Sequence, residues 1–135
     1  MEWLFENNPV EEIDKEFEGF VYLITELHTG KKYIGKKFAW KKAYRKVNGK
    51  RKKVLVPSDW KTYYGSSTKL LANVALKGKE NYKREIICFC KTRGELAFME
   101  AKEQFDKNVL LSDEYYNEFI GCKINAKSLR HLLKE

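Results

Sequence analysis

Two tyrosines eleven positions apart, Tyr22 and Tyr33, have the side chains and the spacing to do chemistry together. Each lies in a short run rich in residues that favour β-strands, at positions 20–25 and 32–35. The residues between these runs include a glycine and predict a turn, so the two runs form a β-hairpin with the phenols on adjacent strands. A free phenol has a pKa of about 10. Either tyrosine would therefore need a nearby cation to act as a general base near neutral pH, and Lys36 is the natural candidate.

A block of positive charge follows the hairpin directly. Residues 36–53 contain ten Lys and Arg and no Asp or Glu, whereas residues 1–18 contain seven acids and one lysine. Like charges concentrated in this way repel one another unless an anionic partner relieves them, and nucleic acid is the commonest partner. Aromatic residues among the charges suit base stacking combined with backbone contact. The alternative is a solvated loop that keeps the protein soluble. The residues expected to contact nucleic acid are Lys37, Trp40, Lys41, Lys46, Lys50, Arg51, Lys52, Lys53, Trp60, Lys61, Tyr63, Tyr64 and Ser66.

Length and composition narrow the classes of protein to which the chain could belong. A chain of 135 residues predicts one domain with a real core, and no apolar run reaches the length of a membrane span. The N-terminus carries no basic-then-apolar signal, so we expect a soluble cytoplasmic protein. Cys88 and Cys90 lie in an apolar run and predict reduced thiols within the core. The three cysteines and two histidines do not have the spacing of a zinc site.

Further elements surround the predicted hairpin. In the acidic segment, an Asn-Pro pair predicts a short helix around 9–17. The basic stretch 37–46 predicts the start of a helix that an Asn-Gly pair ends, and residues 50–56 predict a second short ribbon. The order of all these elements indicates an α+β fold with a small, three-stranded, mainly antiparallel sheet flanked by helices.

Two helices and a strand are predicted in the second half of the chain. Ser67 is a candidate N-cap for a helix over 68–76, and residues 85–90 form a continuous apolar strand. Thr92 opens a second helix, with Glu95 in the capping-box position. The expected organisation is an acidic N-terminal segment and one domain with a basic insertion, with bounds 1–18, 19–135 and about 36–65 respectively.

The ordered motifs resemble the GIY-YIG nuclease family, which includes phage homing endonucleases, some restriction enzymes and the incision subunit of nucleotide-excision repair. The resemblance rests on Val21-Tyr22, on Tyr33-Ile34-Gly35 and on a helical glutamate after a third strand, and it covers roughly residues 19–118. The stretches 60–67, 100–105 and 115–117 further resemble a phage-type branch of that family.

Two positions depart from the family pattern. The glycine of the first motif is absent from its usual place, and Gly19 stands one residue early. The family usually carries an arginine about two helical turns after the second motif's glycine. Here that position falls near Ala43, and the cations around it are Lys41, Lys42 and Arg45.

The resemblance implies a metal-dependent endonuclease that hydrolyses DNA phosphodiester bonds, phage-encoded and similar to homing endonucleases. Its host cell would be bacterial, its substrate double-stranded DNA and its cofactor Mg²⁺ (or Mn²⁺). Such a hard cation keeps most of its waters and needs only one or two carboxylates, so Glu100 alone could hold it. Asn117 resembles the family asparagine that orients the active-site tyrosine or its strand. The residues expected to be catalytic are Tyr22, Tyr33, Lys36, Lys42, Arg45, Glu100 and Asn117, with Glu100 as the metal ligand.

Alternatives remain open at this point. Glu95 could replace Glu100 as ligand, although a capping role suits its position at a helix start, and Glu103 suits a solvent salt bridge. At the level of function, the missing arginine favours a binding module that has kept the fold and lost activity. A basic RNA-binding or structural protein is the third possibility.

Overall fold

A mixed sheet of five strands forms the centre of the fold. The computed structural model describes residues 2–134, except for the side chain of Lys134. The strands of this sheet are β1 Trp3–Phe5, β2 Asn8–Pro9, β3 Gly19–Glu26, β4 Lys32–Phe38 and β7 Tyr82–Cys90. Their order is β2-β1-β7-β3-β4, and every neighbouring pair is antiparallel except β1 with β7.

Two further strands and several helices complete the chain. The two strands pair only with each other and form a separate antiparallel ribbon: β5 Trp40–Val47 and β6 Lys50–Pro57. The α-helices are α1 Thr68–Lys77, α2 Arg93–Asp106 and α3 Ala126–Leu129. Short 3₁₀ turns occupy Trp60–Thr62, Lys79–Asn81, Val109–Leu111 and Arg130–Lys134. Among residues 2–134 no helix combines the length and the apolar composition needed to cross a bilayer.

The α+β class is confirmed, but the prediction of three strands in the central sheet is wrong. The two extra strands come from the acidic segment, where a tight turn at Glu6 and Asn7, both with positive φ, joins β1 to β2. Trp3 is 1% exposed and packs its ring edge-on against Phe20 and Tyr22. Burial of this large aromatic ring stabilises the strand more than a helix start signal stabilises a helix.

The helix predicted around residues 9–17 is therefore absent. Pro9 pairs with Leu4 in the sheet, and the residues that follow form no helix and include a turn at Lys15 and Glu16. The amide of Val10 donates to the carbonyl of Trp3, and the amide of Glu18 donates to the carbonyl of Cys90. The acidic segment thus runs along the sheet as part of the fold.

The basic helix predicted from residue 37 is also wrong. Strand β4 continues to Phe38, and after Ala39 the chain enters the ribbon. Asn48 and Gly49 both have positive φ, the conformation of a two-residue turn that joins antiparallel strands. The Asn-Gly pair is a hairpin signal here, and its reading as a helix breaker was the source of the error.

The predicted hairpin and the two helices and strand of the second half of the chain are confirmed. The hairpin of β3 and β4 pairs Tyr22 with Gly35. The Ser67 hydroxyl accepts from the amide of Leu70 at the start of α1, and the Thr92 hydroxyl accepts from the amide of Glu95 at the start of α2. These caps form because a short polar side chain satisfies an amide that the first helical turn leaves free.

The core lies on both faces of the sheet. On one face, Phe20, Tyr22 and Ile24 of β3 pack beneath α1 and the loop that follows the ribbon. On the other face, Val21 and Ile34 pack beneath Leu96 and Met99 of α2. The outermost strand, β4, therefore presents Tyr33 on the side of α1 and Lys36 on the side of α2.

Candidate active site

A cleft of about 590 Å³ opens beside β4, between the start of α1, the middle of α2 and the segment after α2. Five of the residues predicted for function line it. They are Tyr33, Lys36, Ser66, Glu100 and Asn117. Residues separated by up to 84 positions thus meet at one edge of the sheet.

Tyr33 is the phenol that reaches this cleft. It is half-buried, and its hydroxyl shares a hydrogen bond of 2.9 Å with the hydroxyl of Ser66. Burial raises the pKa of Tyr33, the bond to Ser66 opposes that rise, and the charge of Glu100 adds to it. Ser66, expected to contact DNA, therefore contacts the tyrosine in the structure.

Tyr22 lies beneath Tyr33 and does not line the cleft. It is 0% exposed, and its ring centroid lies 6.2 Å from that of Tyr33 and 5.9 Å from that of Tyr63. Its hydroxyl has no hydrogen-bond partner among the described residues. Burial, followed by the neighbouring phenols, raises the pKa of Tyr22 well above its ordinary value of 10. The expectation that cations lower the pKa of these phenols is not met.

Two glycines make this close packing of phenols possible. A Cβ atom on Gly35 would lie 2.4 Å from the Tyr22 hydroxyl and 3.0 Å from a ring carbon of Tyr33. A Cβ atom on Gly65 would lie 3.4 Å from the Tyr33 ring, and its φ of +96° is a conformation that disfavours other residues. The role of Gly65 was missed from the sequence.

Glu100 enters the cleft from α2 on the other side of β4. Its side chain is 15% exposed, and its Oε1 lies 3.9 Å from Nζ of Lys36. Burial raises the pKa of Glu100, and the positive charge of Lys36 partly offsets that rise. The carboxylate is therefore poorly hydrated and only loosely paired, so a cation in the cleft would be attracted to it. Lys36 faces this carboxylate, whereas the sequence paired it with the phenols.

Asn117 holds the edge of β4 by its backbone. Its side chain accepts from the amide of Ile34 at 3.1 Å and donates to the carbonyl of Ile34 at 2.8 Å. Gln104 also donates to that carbonyl, at 2.9 Å. Both side chains thus fix the one residue between Tyr33 and Gly35. Gln104 was missed, although its position one turn after Glu100 places it on the same helix face.

The alternative carboxylates lie elsewhere. Glu95 accepts a hydrogen bond of 2.6 Å from the amide of Lys91 and lies at the cap of α2, so its expected capping role is confirmed. Glu103 does not line the cleft and forms no ion pair with any side chain of residues 2–133. The expected salt bridge of Glu103 is therefore absent from the structure.

Several residues expected to contact DNA are used by the fold instead. Trp60 and Tyr64 are 3% and 6% exposed, so they offer no ring face for stacking. Trp40 donates its indole N–H to the carbonyl of Phe17. These positions alternate with charges in the sequence, but their large apolar surfaces are buried because that is more favourable than exposure.

Of the basic residues expected to contact DNA, Lys37 and Lys61 lie beside aromatic rings, and the others lie on the ribbon. Lys37 pairs with Asp59 at 2.5 Å and lies 4.2 Å from the centre of the half-buried Tyr63 ring. Lys61 is exposed beside the buried Trp60. The other basic residues expected to contact DNA are exposed on the ribbon, and so are Lys42 and Arg45, which do not line the cleft.

The donors at the cleft suit a hard divalent cation. Within residues 2–134 no group of three His, Cys, Asp or Glu side chains is clustered tightly enough to hold a metal. The cleft offers the carboxylates of Glu100 and Glu118 and several hydroxyls, which are oxygen donors without sulfur or imidazole, and Glu118 is already paired with Lys69 at 3.1 Å. Mg²⁺ prefers oxygen, keeps several waters and can be held through a single carboxylate, so the residues fit it.

Comparison with known proteins gives the family of the chain. Residues 3–120 match the family model described as "Putative endonuclease segE, GIY-YIG domain". No curated protein and no solved structure gives a significant match to the chain. Nucleases of this family generally use a divalent metal ion. The matched segment includes both tyrosines, the whole cleft up to Asn117 and the basic ribbon, and on this evidence the chain belongs to the GIY-YIG nuclease family.

Proposed function

We propose that this protein is a metal-dependent endonuclease that hydrolyses phosphodiester bonds of double-stranded DNA, phage-encoded and similar to homing endonucleases. The observation that carries the proposal is the meeting of Tyr33, Lys36 and Glu100 in one cleft whose edge strand is fixed by Asn117. Hydrolysis of a phosphodiester needs an oriented water, neutralisation of charge in the transition state and help for the leaving oxygen.

Glu100 is proposed to hold Mg²⁺ or Mn²⁺. The bound cation would supply charge neutralisation at the phosphate and polarise its coordinated oxygens. Lys36 pairs with Glu100 in the free protein, at 3.9 Å. This distance leaves Lys36 free to turn its ammonium toward a phosphate oxygen when DNA enters the cleft, since the pair is loose.

Tyr33 is proposed to orient the attacking water. Because burial raises its pKa, the phenol is protonated at neutral pH and both donates and accepts hydrogen bonds. Ser66 fixes the direction of its hydroxyl. Tyr22 is proposed as a positioning residue, since its ring supports Tyr33 from below and its hydroxyl does not reach the cleft. Lys42 and Arg45 are proposed as DNA contacts on the ribbon.

The test is nicking of supercoiled plasmid in Mg²⁺ or Mn²⁺. We expect Glu100→Gln to lower the rate by about a hundredfold or more, a loss typical for a group that stabilises transition-state charge. Glu103→Gln is the matched control, because it makes the same change on the same helix outside the cleft. Nicking by Glu100→Gln at the wild-type rate would refute the assignment of the metal ligand.

A catalytically impaired binding module is the second candidate. The observation that favours it is the position of Lys42 and Arg45 on the ribbon, which leaves Lys36 and Lys69 as the cations that line the cleft. Tight binding to DNA without nicking in either metal ion would support this candidate. Preference for RNA over duplex DNA at fixed salt would instead support an RNA-binding protein.

A further inference from the structure

The ribbon of β5 and β6 is a separate projecting element. Each strand has eight residues, which spans about 26 Å at roughly 3.3 Å per residue. Neither strand pairs with the central sheet. An isolated two-stranded ribbon is marginally stable in water, so a partner that covers it would stabilise it.

The charge on the ribbon is uncompensated. Residues 40–57 carry eight Lys and Arg and no acid, and all eight are exposed. None of the eight forms an ion pair with an acid of residues 2–134. The acids of the N-terminal segment do not neutralise them either: within the part of the chain that the structure describes, Glu18 is the one acid of that segment that pairs with a base, Arg93.

Several of these cations face each other across the strands. Lys46 lies opposite Arg51, and Arg45 lies opposite Lys52. Like charges directly opposite each other destabilise a strand pair. A polyanion would remove this repulsion, because its phosphates would neutralise the like charges on the two strands.

The ribbon does not carry the row of open aromatic rings on which single-stranded nucleic acid stacks. Its one exposed ring is that of Tyr44, which is 55% exposed. The guanidinium of Arg51 lies 4.0 Å from the centre of that ring and occupies one of its faces. Trp40 is held at the base by its bond to Phe17. The shape is instead that of a two-stranded ribbon, which fits the major groove of B-DNA, about 12 Å wide.

The base of the ribbon is fixed to the strand that carries the cleft. Ala39 alone separates β4 from β5. Its amide donates to Glu18, its carbonyl accepts from the amide of Ser58, and the Ser58 hydroxyl donates to Phe38. A duplex held on the ribbon would therefore lie at a set position relative to Tyr33 on β4.

We infer that the β5–β6 ribbon inserts into the major groove of duplex DNA and sets where that duplex lies relative to the cleft. The inference rests on the proposed nuclease function in one respect: the position of the duplex matters for cleavage because the cleft is the proposed active site. The groove contact itself needs no cleavage.

The first experiment measures binding without divalent metal. A duplex of about 30 bp, roughly three helical turns, is titrated at several salt concentrations. The ribbon variant Lys46→Gln/Lys50→Gln/Arg51→Gln/Lys52→Gln is compared with a control of equal charge change. That control is Lys91→Gln/Lys107→Gln/Lys123→Gln/Lys127→Gln, at exposed positions outside the ribbon.

The ribbon variant should bind more weakly, and the slope of log affinity against log salt should fall by about 3–4, since each lost phosphate contact contributes about 0.9. The control should keep most of the slope. The variant Lys46→Arg/Lys50→Arg/Lys52→Arg keeps the charge of the ribbon and should therefore show the wild-type slope. Equal losses in the ribbon variant and the control would overturn the inference.

The second experiment locates the groove. Methylation of guanine N7 by dimethyl sulfate probes the major groove. Wild-type protein in chelator should protect N7 positions, and the ribbon variant should lose that protection. Unchanged N7 protection by the ribbon variant would overturn the inference. Protection by wild-type protein that is confined to the minor groove would also overturn it. If N7 protection depends on the ribbon but wild type never nicks plasmid in metal, the nuclease proposal fails and the groove assignment stands.

Discussion

The two phenols of this site have different surroundings although they lie in one hairpin. Tyr33 ends in the cleft with a hydroxyl partner, whereas Tyr22 ends in the core with none. A buried hydroxyl without a partner costs free energy, about 1–3 kcal/mol. This difference is the basis of the proposed roles, in which Tyr33 contacts the substrate and Tyr22 positions Tyr33.

Substitution of each tyrosine by Phe should therefore give opposite results. Tyr33→Phe should lower the nicking rate by about a hundredfold or more, as expected for loss of a proton-transfer or water-orienting group, and leave stability nearly unchanged. Tyr22→Phe should keep most of the rate and raise the free energy of unfolding, because it removes the unpartnered hydroxyl. Plasmid nicking and urea denaturation measure the two effects. A Tyr22→Phe rate as low as that of Tyr33→Phe would show that the buried hydroxyl acts in catalysis.

The pKa of Glu100 provides a second test at this scale. Burial raises it and Lys36 lowers it, so Lys36→Gln should raise the pKa of Glu100 further. The carboxylate would then take up protons at a higher pH. On the acid side of the pH–rate profile, the loss of activity would therefore begin at a higher pH. NMR titration of the Glu100 side chain without metal measures the change directly. Lys69→Gln is the control, since Lys69 also lines the cleft but pairs with Glu118.

Among the secondary-structure elements, the edge strand β4 depends on hydrogen bonds to residues that are distant in the sequence. Lys32 exchanges backbone hydrogen bonds with residues 114 and 116, and Asn117 continues that contact to Ile34. These bonds close the outer edge of β4 at the residue that separates Tyr33 from Gly35. Asn117 therefore acts on the cleft by fixing a strand.

Removal of this side chain should loosen β4 selectively. Asn117→Ala removes the acceptor of the Ile34 amide, so hydrogen exchange at that amide should accelerate, and stability should fall by about 1–3 kcal/mol. Gln104→Ala leaves the amide of Ile34 bonded to Asn117, so exchange there should stay slow. Equal exchange at Ile34 in the two variants would contradict the role given to Asn117.

Local signals predicted the elements that depend on neighbours in sequence. The caps at Ser67 and Thr92 need only residues three positions apart, and both were identified. The strand at Trp3 could not be predicted, because it forms through burial against Phe20 and Tyr22. Likewise the contact of Ser66 with Tyr33 joins residues 33 apart and leaves no periodic pattern.

At the scale of the whole molecule, opposite charges are placed on different parts of the fold. The acidic segment runs beside the sheet and packs Ile13 and Phe17 against the core. The basic residues project on the ribbon. No ion pair joins residues 2–18 to residues 36–53, so within the described chain the ribbon is not masked by the acids. The members of the cleft were identified by family resemblance, because their meeting depends on this overall arrangement.

Stability of the whole molecule also depends on one buried carboxylate outside the cleft. Glu26 is 1% exposed, pairs with Lys77 and accepts a hydrogen bond of 2.9 Å from the Tyr116 hydroxyl and one of 3.0 Å from the Thr29 hydroxyl. Burial acts to raise its pKa, but these partners together hold the pKa below its ordinary value of 4.5. The network joins β3, α1 and the segment that carries Asn117.

A carboxyl whose pKa is lower in the folded state stabilises the fold above its unfolded pKa, and this stability is lost as pH falls through the folded pKa. Glu26→Gln should therefore lower the free energy of unfolding at pH 7 by about 1.5–3 kcal/mol, since hydrogen bonds to a charged group are lost. The difference from wild type should shrink as the pH falls below 4.5 toward the lowered pKa of the folded carboxyl. Urea denaturation across this range measures it, with the exposed Glu12→Gln as control. A difference that stays constant with pH would show that packing, and not the charge of Glu26, stabilises this part of the fold.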